Sequence, residues 1–292
     1  MELNWKRKKI KRFEAKMGYS PDLSNPKRFT EKLLCRVLSD ADPCYSLYGK
    51  KMEAYFLIKS LQIPDLKLPK KYGFFSTLSP SDLDNIGQES FAIKSSYASG
   101  LNYAVKNKSS YDLEKICNEI NAKLHQTTNA LTKKDPHNCI IIEEFIEELD
   151  NGGDEFKFHC FPQPNGDVFL IVVHLSGNGP SRECRAYSEE FIPLDYWIST
   201  YPPSTRSIPK PREFDRAVEI AKILSKAFDY IRVDLLLVDG KVVFQELTPY
   251  PSRGLTFVPS IGRDLFLGKK WHMRANSFDC NYWENLLHDK LK

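Results

Sequence analysis

Two acidic residues stand in an otherwise apolar stretch near the C-terminal end of the chain. Residues 231–248 read Ile-Arg-Val-Asp-Leu-Leu-Leu-Val-Asp-Gly-Lys-Val-Val-Phe-Gln-Glu-Leu-Thr. Asp239-Gly240 between two runs of branched apolar residues is a strong hairpin signal. Parity decides whether Asp234 and Glu246 can cooperate, because side chains alternate faces along a strand. A two-residue loop at Asp239-Gly240 pairs Val238 with Lys241, sets Asp234 opposite Gln245 and leaves Glu246 on the other face. A three-residue loop, Val238-Asp239-Gly240 with glycine left-handed, pairs Leu237 with Lys241 instead. Arg232, Asp234, Glu246 and Thr248 then share one face, with the acids as diagonal neighbours roughly 7–8 Å apart. We expect the three-residue loop. Two carboxylates on an apolar hairpin are costly without a partner, and Mg²⁺ takes one or two carboxylates plus phosphate oxygens and water. The competing reading is an Arg232 salt bridge beside solvent-exposed acids.

A second segment has phosphate chemistry within reach. Phe91-Ala92-Ile93-Lys94 reads as a buried strand ending in a lysine, followed by a loop with Ser95, Ser96, Ser99 and Gly100. Lysine is a flexible point charge suited to phosphate. Gly and Ser let backbone N–H groups approach phosphate oxygens. A Ser-rich turn after a strand is also common without any ligand.

Around these segments the pattern predicts helices first. Residues 1–60 read as helical, with one helix entered through Ser24-Asn25-Pro26-Lys27 and another over 46–61. Pro64, Pro69, Gly73 and Pro80 then mark short strands and turns over 63–90. Strands follow at 91–94 and 103–105, a helix at 111–126, and an apolar strand at 139–142 running into Glu143-Glu144-Phe145-Ile146. A turn is expected at 150–154, a strand pair at 155–161 and 168–175, and a long loop over 176–212. The helix at 216–228 precedes the hairpin. Helices followed by antiparallel hairpins argue α+β rather than a regular βαβ sheet.

Composition narrows the class. The 292 residues carry 41% hydrophobic and 27% charged side chains, an ordinary globular balance. A net charge of +4 is too weak to imply nucleic acid. No apolar run reaches membrane-span length and no signal peptide is visible, so a cytoplasmic location is expected. Seven scattered cysteines without CxxC spacing read as reduced and inert. Lys6, Arg7, Lys8, Lys9, Lys11 and Arg12 crowd the start of the chain; they are either a solvated helix end or a patch for a membrane surface or an acidic polymer. His159, Cys160 and His174 read as strand residues rather than a zinc site, since adjacent strand positions point apart.

Taken in order, the motifs resemble the ATP-grasp superfamily, and more closely its teichuronopeptide-biosynthesis (TupA-like) branch. The matching stretches are residues 25–33, Phe91-Ala92-Ile93-Lys94, Ile142-Glu143-Glu144-Phe145, residues 155–161, Arg232-Val233-Asp234-Leu235 and Glu246-Leu247-Thr248. The resemblance implies a helical segment (1–62), a small lobe (63–142) and a large lobe (143–292), with antiparallel sheets sandwiching ATP. It implies that Lys51 and Lys94 meet nucleotide phosphates, with Ser96, Ser99 and Gly100 in the closing loop. Glu143, Glu144, Phe145 and Ile146 would meet adenine, and Glu155 the ribose. Asp234, Glu246 and Thr248 would hold Mg²⁺, with Thr248 where many relatives have Asn. Arg232 would stabilise the transferring phosphoryl group or the tetrahedral intermediate. Lys157 would reach phosphate or form an internal ion pair. Arg253 would hold an acidic substrate group or be solvated, and the same alternatives apply to Arg182 and Arg185 in the long loop.

The chemistry so implied is ATP-dependent joining of a carboxylate, of uronic-acid type, to an amine through an acylphosphate, in bacterial surface polysaccharide biosynthesis. The alternatives are a kinase acting on a sugar hydroxyl, and a non-catalytic binder of nucleotide or acidic polymer.

Overall fold

The computed structural model describes residues 2–39, 51–96, 102–127, 139–147, 155–177 and 179–274. Its strands, in chain order, are β1 (Leu66–Lys67), β2 (Lys71–Phe75), β3 (Phe91–Ser95), β4 (Asn102–Val105), β5 (Ile140–Glu144), β6 (Glu155–Pro162), β7 (Val168–Ser176), β8 (Glu183–Tyr187), β9 (Ile231–Val238) and β10 (Lys241–Thr248). The helices are α1 (Glu2–Met17), α2 (Phe29–Ser39), α3 (Lys51–Leu61), α4 (Pro80–Asp84), α5 (Leu113–Thr127), α6 (Phe214–Ser225) and α7 (Ile261–Lys270). Six strands form one sheet in the order β1-β10-β9-β6-β7-β8, and four form another in the order β2-β5-β3-β4. This is an α+β fold with two sheet-bearing lobes and a helical N-terminal region, as expected.

Alternation along the strands sorts apolar from charged side chains. On one face of the larger sheet, Phe156, Phe158, Val233, Leu235, Phe244 and Leu247 share one core with α3 and α6. Phe214, Ala217, Ala221 and Leu224 bury α6 at helical spacing. On the opposite face, around β7 and β8, Phe29, Tyr230 and Trp271 close a second core. The part of that face over β9, β10 and the start of β6 carries charge instead. In the smaller sheet, Phe91, Ile93, Ile140 and Ile142 pack on α5, which leaves Lys71, Lys94 and Glu143 on the other face.

The hairpin corrects the expected loop. Lys241 pairs with Val238, so the loop has two residues, Asp239 and Gly240. Both have positive φ, 50° and 77°, the type I′ turn whose twist matches the flanking strands. Parity is restored further along, where the register shifts between Phe244 and Glu246. Gln245 is the extra residue of a β-bulge. Glu246 therefore lies directly opposite Asp234, and Thr248 opposite Arg232. The four side chains share a face, but a bulge in the strand brings them there and not the turn.

Other elements also differ from the reading of the sequence. Within 63–90, Pro80–Asp84 is a short helix with a capping box, Ser79 bonding the Asp82 N–H and Asp82 bonding back to Ser79. β1 joins the larger sheet, pairing in parallel with β10. The segment 176–212 is not a plain loop, since β8 adds to β7 within it. The helix expected over 46–61 is described as Lys51–Leu61, and its first part lies outside the described residues, as does the turn expected at 150–154.

Candidate active site

The charged part of the larger sheet is a row of alternating signs. Arg232 donates to Asp234 through Nε at 2.6 Å and Nη2 at 2.7 Å. The same Nη2 reaches Glu246 Oε1 and Thr248 Oγ1, each at 3.0 Å. The Thr248 hydroxyl donates to Glu246 Oε1 at 2.7 Å. From β6, Lys157 stands opposite Asp234 and donates to its Oδ2 at 2.7 Å. Lys157 also lies 3.1 Å from Glu155, which meets Arg182 Nη2 at 2.6 Å. Arg182 in turn sits 5.5 Å from the centre of the Tyr201 ring.

Burial and pairing compete at these groups. Burial opposes ionisation of Asp234, but Arg232 and Lys157 outweigh it and hold the carboxyl well below the usual carboxylate range. Glu155 is lowered in the same way, with Lys157 and Arg182 overcoming its burial. Beneath them His159 is buried, with Nδ1 at 2.9 Å from the Tyr230 hydroxyl. Burial, with Arg232 nearby, pushes its pKa down to about 3. Its strand neighbour Cys160 points into the opposite core, where burial pushes the thiol up to about 12.

The smaller lobe supplies a cationic set. Lys71 and Lys94 both pair with the buried Glu143. Burial would keep Glu143 neutral, yet the two lysines hold its pKa below the ordinary value. Lys51, at the start of α3, feels Glu246 of the larger sheet as well as Lys94 and Glu143 of the smaller one. Burial depresses its pKa, and Glu246 on one side and Glu143 on the other act against that shift. Ser96 uses its hydroxyl to accept the Cys139 N–H at 2.9 Å. Ser99 and Gly100 lie outside the described residues.

The segment between the lobes divides its roles. Glu144 turns away from Glu143, pairs with Lys67 and accepts the Lys70 N–H at 3.1 Å. Phe145 is half-buried. Ile146 packs on Leu236 and Val243, which stand on the same face of the larger sheet as Asp234. An apolar shelf thus adjoins the acid pair.

Two expected residues stand elsewhere. Arg185 pairs across the sheet with His174, on the face opposite Lys157, and donates to the carbonyls of Thr205 and Arg206 at 3.1 and 3.3 Å. Strand alternation separates it from Arg182. Arg253 is exposed in a left-handed conformation with φ 54°. Its charge acts on Lys9 of α1, so it belongs to the rim and not to the acid cluster. Its neighbour Ser252 lines a small cavity of about 50 Å³ with Lys157, His159, Arg232, Ser199 and Tyr201. Participants missed in the sequence include Lys71, which shares Glu143 with Lys94, and Leu236. The second was within reach, because Leu236 is two residues from Asp234 on the same strand.

A model of TupA-like ATP-grasp proteins matches residues 31–272. The chain belongs to the TupA-like ATP-grasp family. No curated protein matches this family member's sequence significantly. Among solved structures it is similar to D-alanine–D-alanine ligase from Helicobacter pylori, with 17% identity, TM-score 0.44, 83% of this chain and 61% of that one covered. The ATP-bound D-alanine–D-alanine ligase of Bacillus anthracis gives 15% identity and TM-score 0.42, with 83% and 65% covered. The ATP-grasp ligase PsnB, captured with a precursor variant, Mg and ADP, gives 13% identity and TM-score 0.40, with 90% and 68% covered. The chain spans about three-fifths of the length of the Helicobacter enzyme.

The donor set of this ATP-grasp chain fits Mg²⁺. Asp234 and Glu246 offer hard carboxylate oxygens and Thr248 a hydroxyl, all on one side of the hairpin. Among the described residues no group of three or more His, Cys, Asp or Glu side chains is placed to hold a metal ion by itself. Two carboxylates completed by phosphate oxygens and water are the pattern that suits this ion.

Proposed function

We propose that this chain is an ADP-forming carboxylate–amine ligase. The observation that carries the reading is the convergence of Asp234, Glu246 and Thr248 around Arg232 on the large sheet, within the field of Lys51 at the start of α3. In the proposed reaction a substrate carboxylate oxygen bonds to the γ-phosphorus as the bond to ADP breaks. An amine nitrogen then bonds to the acyl carbon, phosphate leaves, and the amine gives up a proton.

The protein's part is positioning and electrostatics. Bound Mg²⁺, held by Asp234 and Glu246, would neutralise phosphate charge and orient the triphosphate. Lys51 and Lys94 would hold phosphate oxygens; Lys94 is already kept at the site by Glu143. Arg232 is poised to exchange carboxylate partners for the charge that develops on the transferring phosphoryl group. Lys157, next to Arg232 at the small cavity, would steady the acyl oxygen or the phosphoryl oxygens. The apolar shelf of Ile146, Leu236 and Val243 would take the adenine face, and Glu155 the ribose. Arg182 beside Tyr201 would meet the substrate carboxylate.

We assign the acid to the uronic-acid type and the amine to an amino acid or simple amine, in surface polysaccharide synthesis on the cytoplasmic side, where ATP is available. Family membership supports this assignment. The deciding experiment measures ADP release with paired acid and amine panels and weighs the product. An amide-linked product formed with ADP supports the ligase. A phosphorylated sugar without amide would establish the kinase, and no Mg-dependent turnover over a broad panel would establish the binder.

A further inference from the structure

The reading of the active site leaves α1 unused, yet that helix has a marked division of faces. Phe13 is buried and meets Tyr19 edge-on at 5.3 Å between ring centres. This contact anchors one side of the helix to the body. The outward side carries Trp5, Arg7, Lys8, Lys11, Arg12 and Lys16, all exposed. Trp5 keeps 43% of its surface open. Glu14 does not relieve this face: it is half-buried and accepts the Ser20 hydroxyl at 2.8 Å.

Arg7 and Lys11, Lys8 and Arg12, and Arg12 and Lys16 are each four residues apart. Like charges at that spacing repel and weaken a helix. A run of such pairs with an exposed indole among them is a surface made for an anionic partner. The face also adjoins the reaction site. Lys9, at its edge, lies in the field of Arg253, and Ser252 next to Arg253 lines the cavity shared by Lys157 and Arg232.

We infer that the outward face of α1 docks on an anionic lipid bilayer and turns the acceptor side of the active site toward it. The occupant is a bilayer and not a soluble polyanion because Trp5 needs an apolar phase beside the charges. Lys and Arg supply attraction to acidic headgroups, while an indole settles at the boundary between headgroups and acyl chains. Among the described residues no helix is long and apolar enough to cross a membrane, so the contact is a surface one. A substrate presented at the bilayer would then reach the cavity without leaving it.

The test uses the full chain and does not depend on turnover, so it stands apart from the ligase assignment. Vesicles of phosphatidylcholine alone and of phosphatidylcholine with phosphatidylglycerol are sedimented with the protein. Binding is expected only with phosphatidylglycerol and should fall as salt rises. Replacing Arg7, Lys8, Lys11 and Arg12 by Gln should weaken it by about six-hundredfold, at roughly fivefold for each charge. The fluorescence lost in Trp5→Phe should be the component that shifts to the blue on binding. Circular dichroism melting checks that both variants fold, and the milder pair Lys8→Gln/Arg12→Gln replaces the quadruple variant if that one does not. Absence of binding to phosphatidylglycerol vesicles, equal binding by folded variant and parent, or capture by soluble poly-glutamate in place of vesicles would each overturn the inference.

Discussion

Asp234 and Glu246 face each other directly across the β9–β10 hairpin, although the turn alone would send their side chains to opposite faces. A two-residue type I′ turn fixes the register up to Phe244, and the extra residue Gln245 reverses parity for the rest of β10. Arg232 ties the two carboxylates together through one nitrogen, Nη2. In this sequence the extra residue Gln245 is what sets Glu246 opposite Asp234 behind a two-residue turn.

Deleting Gln245 tests whether the bulge does no more than restore parity. The ladder would become regular, with Phe244 still facing the core and Glu246 still opposite Asp234. Mg-dependent ADP release is expected to persist, with a melting temperature within a few degrees of the parent. Loss of turnover in a folded deletion variant, as complete as that of a carboxylate substitution, would contradict the role given to the bulge.

Lys94→Ala should weaken ATP binding. A hydrogen bond to a charged group contributes about 1.5–3 kcal/mol, so calorimetry should show affinity lower by roughly one to two orders of magnitude. Glu143 retains Lys71 in that variant, so the smaller lobe should still fold. Unchanged nucleotide affinity would remove Lys94 from the phosphate site.

The buried imidazole gives the fold a defined acid sensitivity. His159 titrates at about 3 in the folded chain against 6.5 ordinarily. Between those values the unfolded chain binds the extra proton, so stability is full above pH 6.5 and falls as pH drops toward 3. Asp234, depressed from 3.8, adds a further loss that begins as pH falls through about 3.8. Urea unfolding at pH 7 and pH 5 should show the wild type distinctly weaker at pH 5, and His159→Gln with a flatter dependence. An equal slope in both proteins would contradict the buried, neutral state of His159.

Much of the larger lobe was legible in the sequence because its signals are local. The β6–β7 and β9–β10 hairpins carry turn residues between apolar runs, and α6 shows its apolar stripe. The family motifs also put Lys51, Lys94, Asp234 and Glu246 in one account. What escaped was non-local or irregular. Nothing in the identity of Gln245 marks a bulge, since any residue can be the extra one. The two residues of β1 become a strand only because β10 lies beside them. Lys71 could not be tied to Glu143 before the β2–β5 register was known. Arg182 and Arg185 looked equivalent in a polar stretch, and only the pairing of β8 shows that Arg185 faces away.

The most direct test of the metal assignment is Mn²⁺ binding in the presence of ADP, read by electron paramagnetic resonance, in the wild type and in Glu246→Gln. The Glu246 side chain is 35% exposed, so the substitution should leave the fold and melting temperature intact. Wild type should bind the ion with nucleotide, and the variant should bind it at least about tenfold more weakly, a loss of about 1.4 kcal/mol, and lose ADP release. A folded variant with undiminished Mn²⁺ affinity and near-normal turnover would contradict the hairpin as the metal site.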